Sequence, residues 1–103
     1  MKTLIDCSGR EVRLTDERLA HILERPELGG MELEIGEVLL NPQFVRSSRS
    51  DASVRLFYSF YSETLVGGKW LGVVVKYEGA DAFVVTAYLT NKPKAGEDLW
   101  PKK

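Results

Sequence analysis

Val54-Arg55-Leu56-Phe57-Tyr58-Ser59-Phe60-Tyr61, Trp70-Leu71-Gly72-Val73-Val74-Val75-Lys76-Tyr77 and Phe83-Val84-Val85-Thr86-Ala87-Tyr88-Leu89-Thr90 share one two-residue alternation, and their reading decides the fold. Side chains alternate across a strand, so each run has two faces. One gathers Val54, Leu56, Tyr58, Phe60, Leu71, Val73, Val75, Phe83, Val85, Ala87 and Leu89, the expected core. The other gathers Arg55, Phe57, Ser59, Tyr61, Trp70, Gly72, Lys76, Thr86, Tyr88 and Thr90. It is too polar for a core and too aromatic for an idle surface. It reads as a working surface suited to a phosphate-bearing ligand.

A hairpin closed by the loop Ser62 to Lys69 places Tyr61 opposite Trp70, Phe60 opposite Leu71, Phe57 by Val74 and Arg55 by Lys76. Every pair then shares a face, as antiparallel pairing requires. Two cations facing each other repel, so a bound phosphate or a nearby carboxylate is expected between Arg55 and Lys76. A one-residue slip of register would undo the pairing.

The preceding chain reads as a small hairpin, Thr3 to Ile5 and Glu11 to Leu14, turned by Cys7-Ser8-Gly9-Arg10. Thr15 is an expected N-cap, with Asp16 and Glu17 in a first helical turn where the macrodipole favours anions. That helix ends near Arg25, because Pro26 disfavours helical geometry before it. Leu19, Ile22 and Leu23 form its core stripe, while Arg18, His21 and Arg25 fall on a polar side. Gly29-Gly30 breaks the chain. A second helix is expected from Met31 to Leu40, burying Met31, Ile35, Val38 and Leu39 and stopping at Asn41-Pro42. A strand Phe44 to Arg49 and a Ser50-Asp51-Ala52-Ser53 turn lead into the alternating runs. Beyond Thr90 comes an extended lysine-rich tail, with Trp100-Pro101 packing back on the body.

The expected architecture is α+β, in one domain over residues 1–103. An N-terminal β-hairpin and two helices pack on one face of a four-stranded antiparallel meander, leaving the other face open. The length suffices for one core, and 44% apolar with 28% charged residues is ordinary for a globular domain. No apolar run reaches membrane-spanning length, so no membrane association is expected. Nor does the N-terminus carry a signal-like region. The single Cys7 excludes an internal disulfide and fits a reducing cytoplasm; one Cys and one His do not make a structural zinc site.

Net charge is −1, unlike a non-specific nucleic-acid coat, but it is unevenly spread. Residues Met1 to Val45 sum to −4 and Arg46 to Lys76 to +3. A bipolar domain of this kind can hold a polyanion on one side or offer a complementary surface to a protein.

No nucleophile elbow, P-loop or dinucleotide fingerprint is present. What remains is cations, hydroxyls, aromatics and one histidine, the parts of a metal-free ribonuclease or a phosphate-binding surface. His21 can carry a proton; Arg46, Arg49, Arg55 and Lys76 can supply charge; Tyr58, Tyr61, Tyr88 or Trp70 can stack bases. Each has a plainer reading. His21 can be an exposed helix residue, Tyr58 a core residue, and Thr86 and Thr90 simply good strand formers. Arg46 and Arg49 are three apart, so a regular strand places them on opposite faces. Tyr88, opposite Gly72 in the register set by the Glu78 to Asp81 turn, can fill a glycine gap.

The ordered set His21-Ile22-Leu23-Glu24-Arg25-Pro26-Glu27, Val45-Arg46-Ser47-Ser48-Arg49-Ser50-Asp51, Arg55-Leu56-Phe57-Tyr58, Val73-Val74-Val75-Lys76 and Val84-Val85-Thr86-Ala87-Tyr88-Leu89-Thr90 resembles a known group. It is similar to the small phage-type members of the barnase–EndoU–colicin–RelE (BECR) nuclease superfamily, over about residues 10 to 101. The resemblance implies a sheet whose open face holds RNA, and a metal-independent endoribonuclease without a cofactor. It implies active-site roles for His21, Lys76 and Thr86, the expected catalytic residues, and for Arg46 or Arg49; Arg46, Arg49, Arg55, Tyr88 and Thr90 are the expected substrate contacts. A toxin with a protein antitoxin or immunity partner is one setting for such a domain. A non-catalytic RNA- or protein-binding module on the same fold is the alternative.

Overall fold

The computed structural model describes residues 1–101. The strands are β1 (Lys2–Ile5), β2 (Glu11–Leu14), β3 (Phe44–Ser47), β4 (Val54–Tyr61), β5 (Lys69–Glu78), β6 (Asp81–Thr90) and β7 (Glu97–Trp100). Two helices, α1 (Asp16–Leu23) and α2 (Glu32–Leu40), lie between β2 and β3, with a short 3-10 turn at Pro26–Leu28.

Local chemistry sets the helices as expected. The Thr15 hydroxyl accepts from the Arg18 amide at 3.1 Å and caps α1, with Asp16 and Glu17 in the first turn. In α2 the stripe Ile35, Val38 and Leu39 is fully buried, and Met31 is buried just before it. These side chains meet Val12, Leu14, Phe57, Leu71, Val73, Val75, Val84 and Ala87 in one core cluster on the helix side of the sheet.

The meander is present as expected: β3, β4, β5 and β6 pair antiparallel in sequence order. The sheet, however, has seven strands in the order β1-β2-β6-β5-β4-β3-β7 and is mixed, not four-stranded and antiparallel. The N-terminal hairpin joins one edge through a parallel pairing of β2 with β6 at Arg13 and Phe83. The tail after Thr90 crosses to the far edge and adds β7 antiparallel to β3, bringing Trp100 opposite Val45. Both edges of the meander are thereby covered, which removes unpaired backbone from the central strands. Positions 102 and 103 of the expected tail lie outside the described residues.

The hairpin register differs from the expectation by one residue. Tyr61 faces Lys69, Phe60 faces Trp70, Phe57 faces Val73 and Arg55 faces Val75. A one-residue slip turns every β4 side chain over. Arg55, Phe57, Ser59 and Tyr61 therefore point to the helix side, whereas Leu56, Tyr58 and Phe60 point to the outer face. The β5 assignment stands, since Leu71, Val73 and Val75 are fully buried in the core. In β6 a bulge between the Val74–Thr86 and Val75–Val84 pairs makes Val85 the extra residue. Ala82 and Val84 before it, and Ala87 and Leu89 after it, face the helices, so Phe83 does not.

Tyr58 is fully buried although it stands on the outer face. The segment Asn91 to Gly96, linking β6 to β7, lies over it like a strap. The Lys94 amide donates to the Tyr58 hydroxyl at 3.1 Å, and the Arg46 guanidinium donates to the Lys94 carbonyl at 3.0 Å. Tyr58 and Tyr88 share a 2.6 Å hydroxyl–hydroxyl bond, and their rings meet edge to face. Both rings lie against Gly72, whose pairing with Tyr88 is as expected. A Cβ at Gly72 would stand 2.7 Å from Tyr58 Cε1 and 3.1 Å from Tyr88 Cζ. Tyr58 has no free volume to yield, so Gly72→Ala is expected to destabilise the domain by about 1–3 kcal/mol, an overpacking cost measurable by urea unfolding.

A second anchor ties the N-terminal turn to the sheet. Asp6 is 2% exposed and accepts from the Ser8 amide, the Ser8 hydroxyl, the Arg10 amide and, at 2.7 Å, the Tyr77 hydroxyl. Burial pushes the Asp6 carboxyl up, but these hydrogen bonds outweigh it and hold the group below the usual carboxylate value. Tyr77→Phe keeps the ring and removes one bond to a buried anion, an expected loss of about 1.5–3 kcal/mol. A carboxyl depressed in the folded state stabilises above its unfolded value, near pH 4, and loses that contribution as pH falls through the folded value. The gap between wild type and Tyr77→Phe should thus be full at pH 7 and narrow below about pH 4.

Candidate functional site

The end of α1 runs beside β6, beyond the last residue of β2. There the β6 edge is met by a side chain: Arg25 Nη1 donates to the Ala87 carbonyl at 2.8 Å. Pro26 turns the chain away immediately after it. Between this corner and the sheet lies a shallow depression of about 380 Å³, lined by His21, Ile22, Glu24, Arg25, Pro26 and Thr86. His21 and Thr86, two of the three expected catalytic residues, thus meet at one place. The His21 side chain is 67% exposed, with Nδ1 3.5 Å from Glu24 Oε2. Thr86 is half-buried and stands on the outer face, opposite Val74.

The depression holds an imidazole, a carboxylate, a guanidinium and a hydroxyl. That set can move a proton and stabilise negative charge on a phosphoryl group. Arg25 was foreshadowed in the sequence only by its place beside His21 on the polar side of α1. Glu24 carried no signal of its own.

Lys76 stands on the same outer face but not in this depression. Its ammonium pairs with Asp51 at 2.9 Å. The Ser53 hydroxyl and Lys76 together hold Asp51 well below the usual carboxylate range, and Asp51 in turn raises Lys76. Arg55 is corrected outright. It lies on the helix side, opposite Val75, so it cannot share an anion with Lys76. Its guanidinium sits over the Tyr77 ring at 4.4 Å.

The remaining expected substrate contacts are dispersed. Arg46 is on the outer face, clamped by Asp98 at 2.9 Å and stacked on Phe44 at 4.5 Å. Arg49 is exposed beyond the end of β3, which stops at Ser47. The Tyr88 hydroxyl is spent on Tyr58, and burial first, then that bond, raise its phenol well above the ordinary value. Thr90 closes the start of the strap, accepting from the Lys92 amide at 3.2 Å.

The sequence reading missed an aromatic cluster on the outer face. Phe44, Trp70 and Phe60 form a row with ring centroids 5.2 and 5.4 Å apart, and Phe60 is 45% exposed. The inverted β4 register hid it. Among the described residues, no helix is long and apolar enough to cross a membrane. Comparison with family models, curated proteins and solved structures finds no match.

Proposed function

We propose that this chain is a metal-independent endoribonuclease domain centred on His21. The observation that carries the reading is the meeting of His21 and Thr86 in one depression with Glu24 and Arg25. Transfer of the RNA phosphoryl group to its own 2′-hydroxyl needs a group to take the hydroxyl proton. It also needs one to protonate the departing 5′-oxygen, and fixed positive charge at the phosphorane. His21 and Glu24 carry the protons in this scheme, and Arg25 supplies the charge. Thr86 donates a hydrogen bond to a phosphoryl oxygen. Lys76, on the same face, contributes at longer range. The resemblance to BECR nucleases supports the same chemistry and extends it to a cytoplasmic toxin restrained by an antitoxin.

The test is single-turnover cleavage of a mixed RNA by wild type and His21→Ala in the presence of EDTA. Cleavage by wild type alone, with 2′,3′-cyclic phosphate ends, supports the proposal. Equal cleavage by both proteins removes His21 from the chemistry.

The Phe44–Trp70–Phe60 row favours one other reading, a module that binds single-stranded RNA without cutting it. Exposed aromatics stack bases, and Arg46, stacked on Phe44 on the same face, adds charge. Salt-sensitive RNA binding by a wild type that cuts nothing is the outcome that selects it.

A further inference from the structure

We infer a second ligand site on the helix side of the sheet, built for a small aromatic carboxylate and anchored by Arg55. A cavity of about 410 Å³ opens between the Asp6–Ser8 turn, β4 and β7. Its volume falls within the range of small-molecule sites, roughly 300–1,000 Å³. It does not rest on the nuclease reading: β4 lies two strands from β6 in the sheet order, and β7 four.

The walls are apolar. Phe57 and Val45 form the floor, and Leu99 and Trp100 one side. A bulge in β7 produces that side: Val45 pairs with Trp100 and Arg46 with Asp98, so Leu99 is the extra residue and lines the cavity together with Trp100. Against these walls stands one guanidinium. Among the described residues, the Arg55 side chain makes no ion pair and no hydrogen bond; its guanidinium is stacked on Tyr77. Stacking uses the face of the guanidinium and leaves its N–H edge for an anion.

The neighbouring carboxylate does not answer that demand. Asp6 already accepts from four donors, three on Oδ1 and the Tyr77 hydroxyl on Oδ2, and forms no ion pair with Arg55 among the described residues. Those bonds also fix the turn that forms the cavity rim, so the site is organised before a ligand arrives. With one available cation and an ionised Asp6 nearby, a monoanion fits better than a phosphate dianion. A planar guanidinium pairs with a carboxylate through two parallel hydrogen bonds, and the aromatic and aliphatic walls take a flat apolar body.

Cys7 lies on the rim and reports occupancy. Burial and the Asp6 charge raise its thiol above the ordinary range, so alkylation is best followed at mildly alkaline pH. The experiment uses the whole chain with 2-naphthoate, 2-naphthamide or inorganic phosphate as probe. Binding is read by amide resonances of Cys7, Arg55 and Leu99, and by the rate of Cys7 alkylation with iodoacetamide. We expect 2-naphthoate to shift those resonances and slow alkylation. 2-Naphthamide, and 2-naphthoate with Arg55→Gln, should each bind roughly tenfold to hundredfold more weakly, the loss of a charge-assisted pair. The comparison of carboxylate with amide is made on wild type and so survives a variant that fails to fold. Equal binding of carboxylate and amide, equal protection by phosphate, or no response to 2-naphthoate overturns the proposal.

Discussion

Val75→Asp is expected to abolish folding, while Lys76→Ala, one residue along the same strand, should leave a stable domain. Val75 is fully buried at the centre of the helix-side core, between Arg55 on β4 and Val84 on β6. An aspartate there must bury its carboxylate in the apolar core cluster, and pairing with Arg55 across the strand would have to pull that guanidinium off the Tyr77 ring. Burying an unpaired carboxylate costs several kcal/mol against a total stability of about 5–15 kcal/mol. Lys76 faces outward and loses only a solvent-accessible pair with Asp51, a kind of contact that contributes little to stability. Far-UV circular dichroism and urea unfolding of the two variants read this contrast directly. A cooperatively folded Val75→Asp protein would show that the faces of β5 are inverted.

That pair of variants marks where the sequence was legible. In β5 the apolar residues Leu71, Val73 and Val75 alternate with glycine, lysine and one further valine, so only one face can be the core. In β4 both alternations are apolar: Leu56, Tyr58 and Phe60 on one, Phe57 and Tyr61 on the other. Hydrophobic pattern sets register only where one face alone is buried. Here Phe57 is buried by the helices and Tyr58 by the strap, so neither face betrays itself. The helices were legible for the opposite reason. Thr15, Pro26, Asn41-Pro42 and the Met31–Leu39 stripe are local signals, each acting within a few residues.

Long-range pairings left weaker marks. Parallel docking of β2 on β6 rests on Arg13 and Phe83, and β7 on β3 spans a strap with no repeat or motif to announce it. Bulges at Val85 and Leu99 each insert one residue into an otherwise regular alternation, and nothing in the residue types distinguishes them. The site followed the same division. His21 and Arg25 fall on one side by helical spacing and could be read together, although α1 ends at Leu23, before Arg25. Thr86 joins them only because α1 passes the β6 edge beyond the end of β2. Arg55 was misplaced by the register alone, and its correct face turns it from a phosphate contact into the lone cation of a separate cavity.

Replacing His21 by Ala should lower single-turnover RNA cleavage by roughly 10² to 10⁴, the usual contribution of a positioned proton carrier. Among the described residues, the exposed His21 side chain makes only the 3.5 Å approach to Glu24, so the variant should fold as wild type does, and a lost rate is then a chemical loss. Thr86→Val removes one hydrogen bond while keeping a β-branched strand residue. Its expected effect is smaller, about 1 kcal/mol or several-fold in rate. Lys76→Ala should fall nearer to Thr86→Val than to His21→Ala, because Asp51 already occupies its ammonium. That order follows from geometry: His21 and Thr86 line the depression, Lys76 does not, and of the three only His21 is assigned a proton transfer in the proposed scheme. Should Lys76→Ala instead prove the most damaging, the reacting phosphate must lie over the centre of the outer face, nearer Lys76 and Asp51. The depression beside α1 would then be no more than the corner where Arg25 seals the edge of β6.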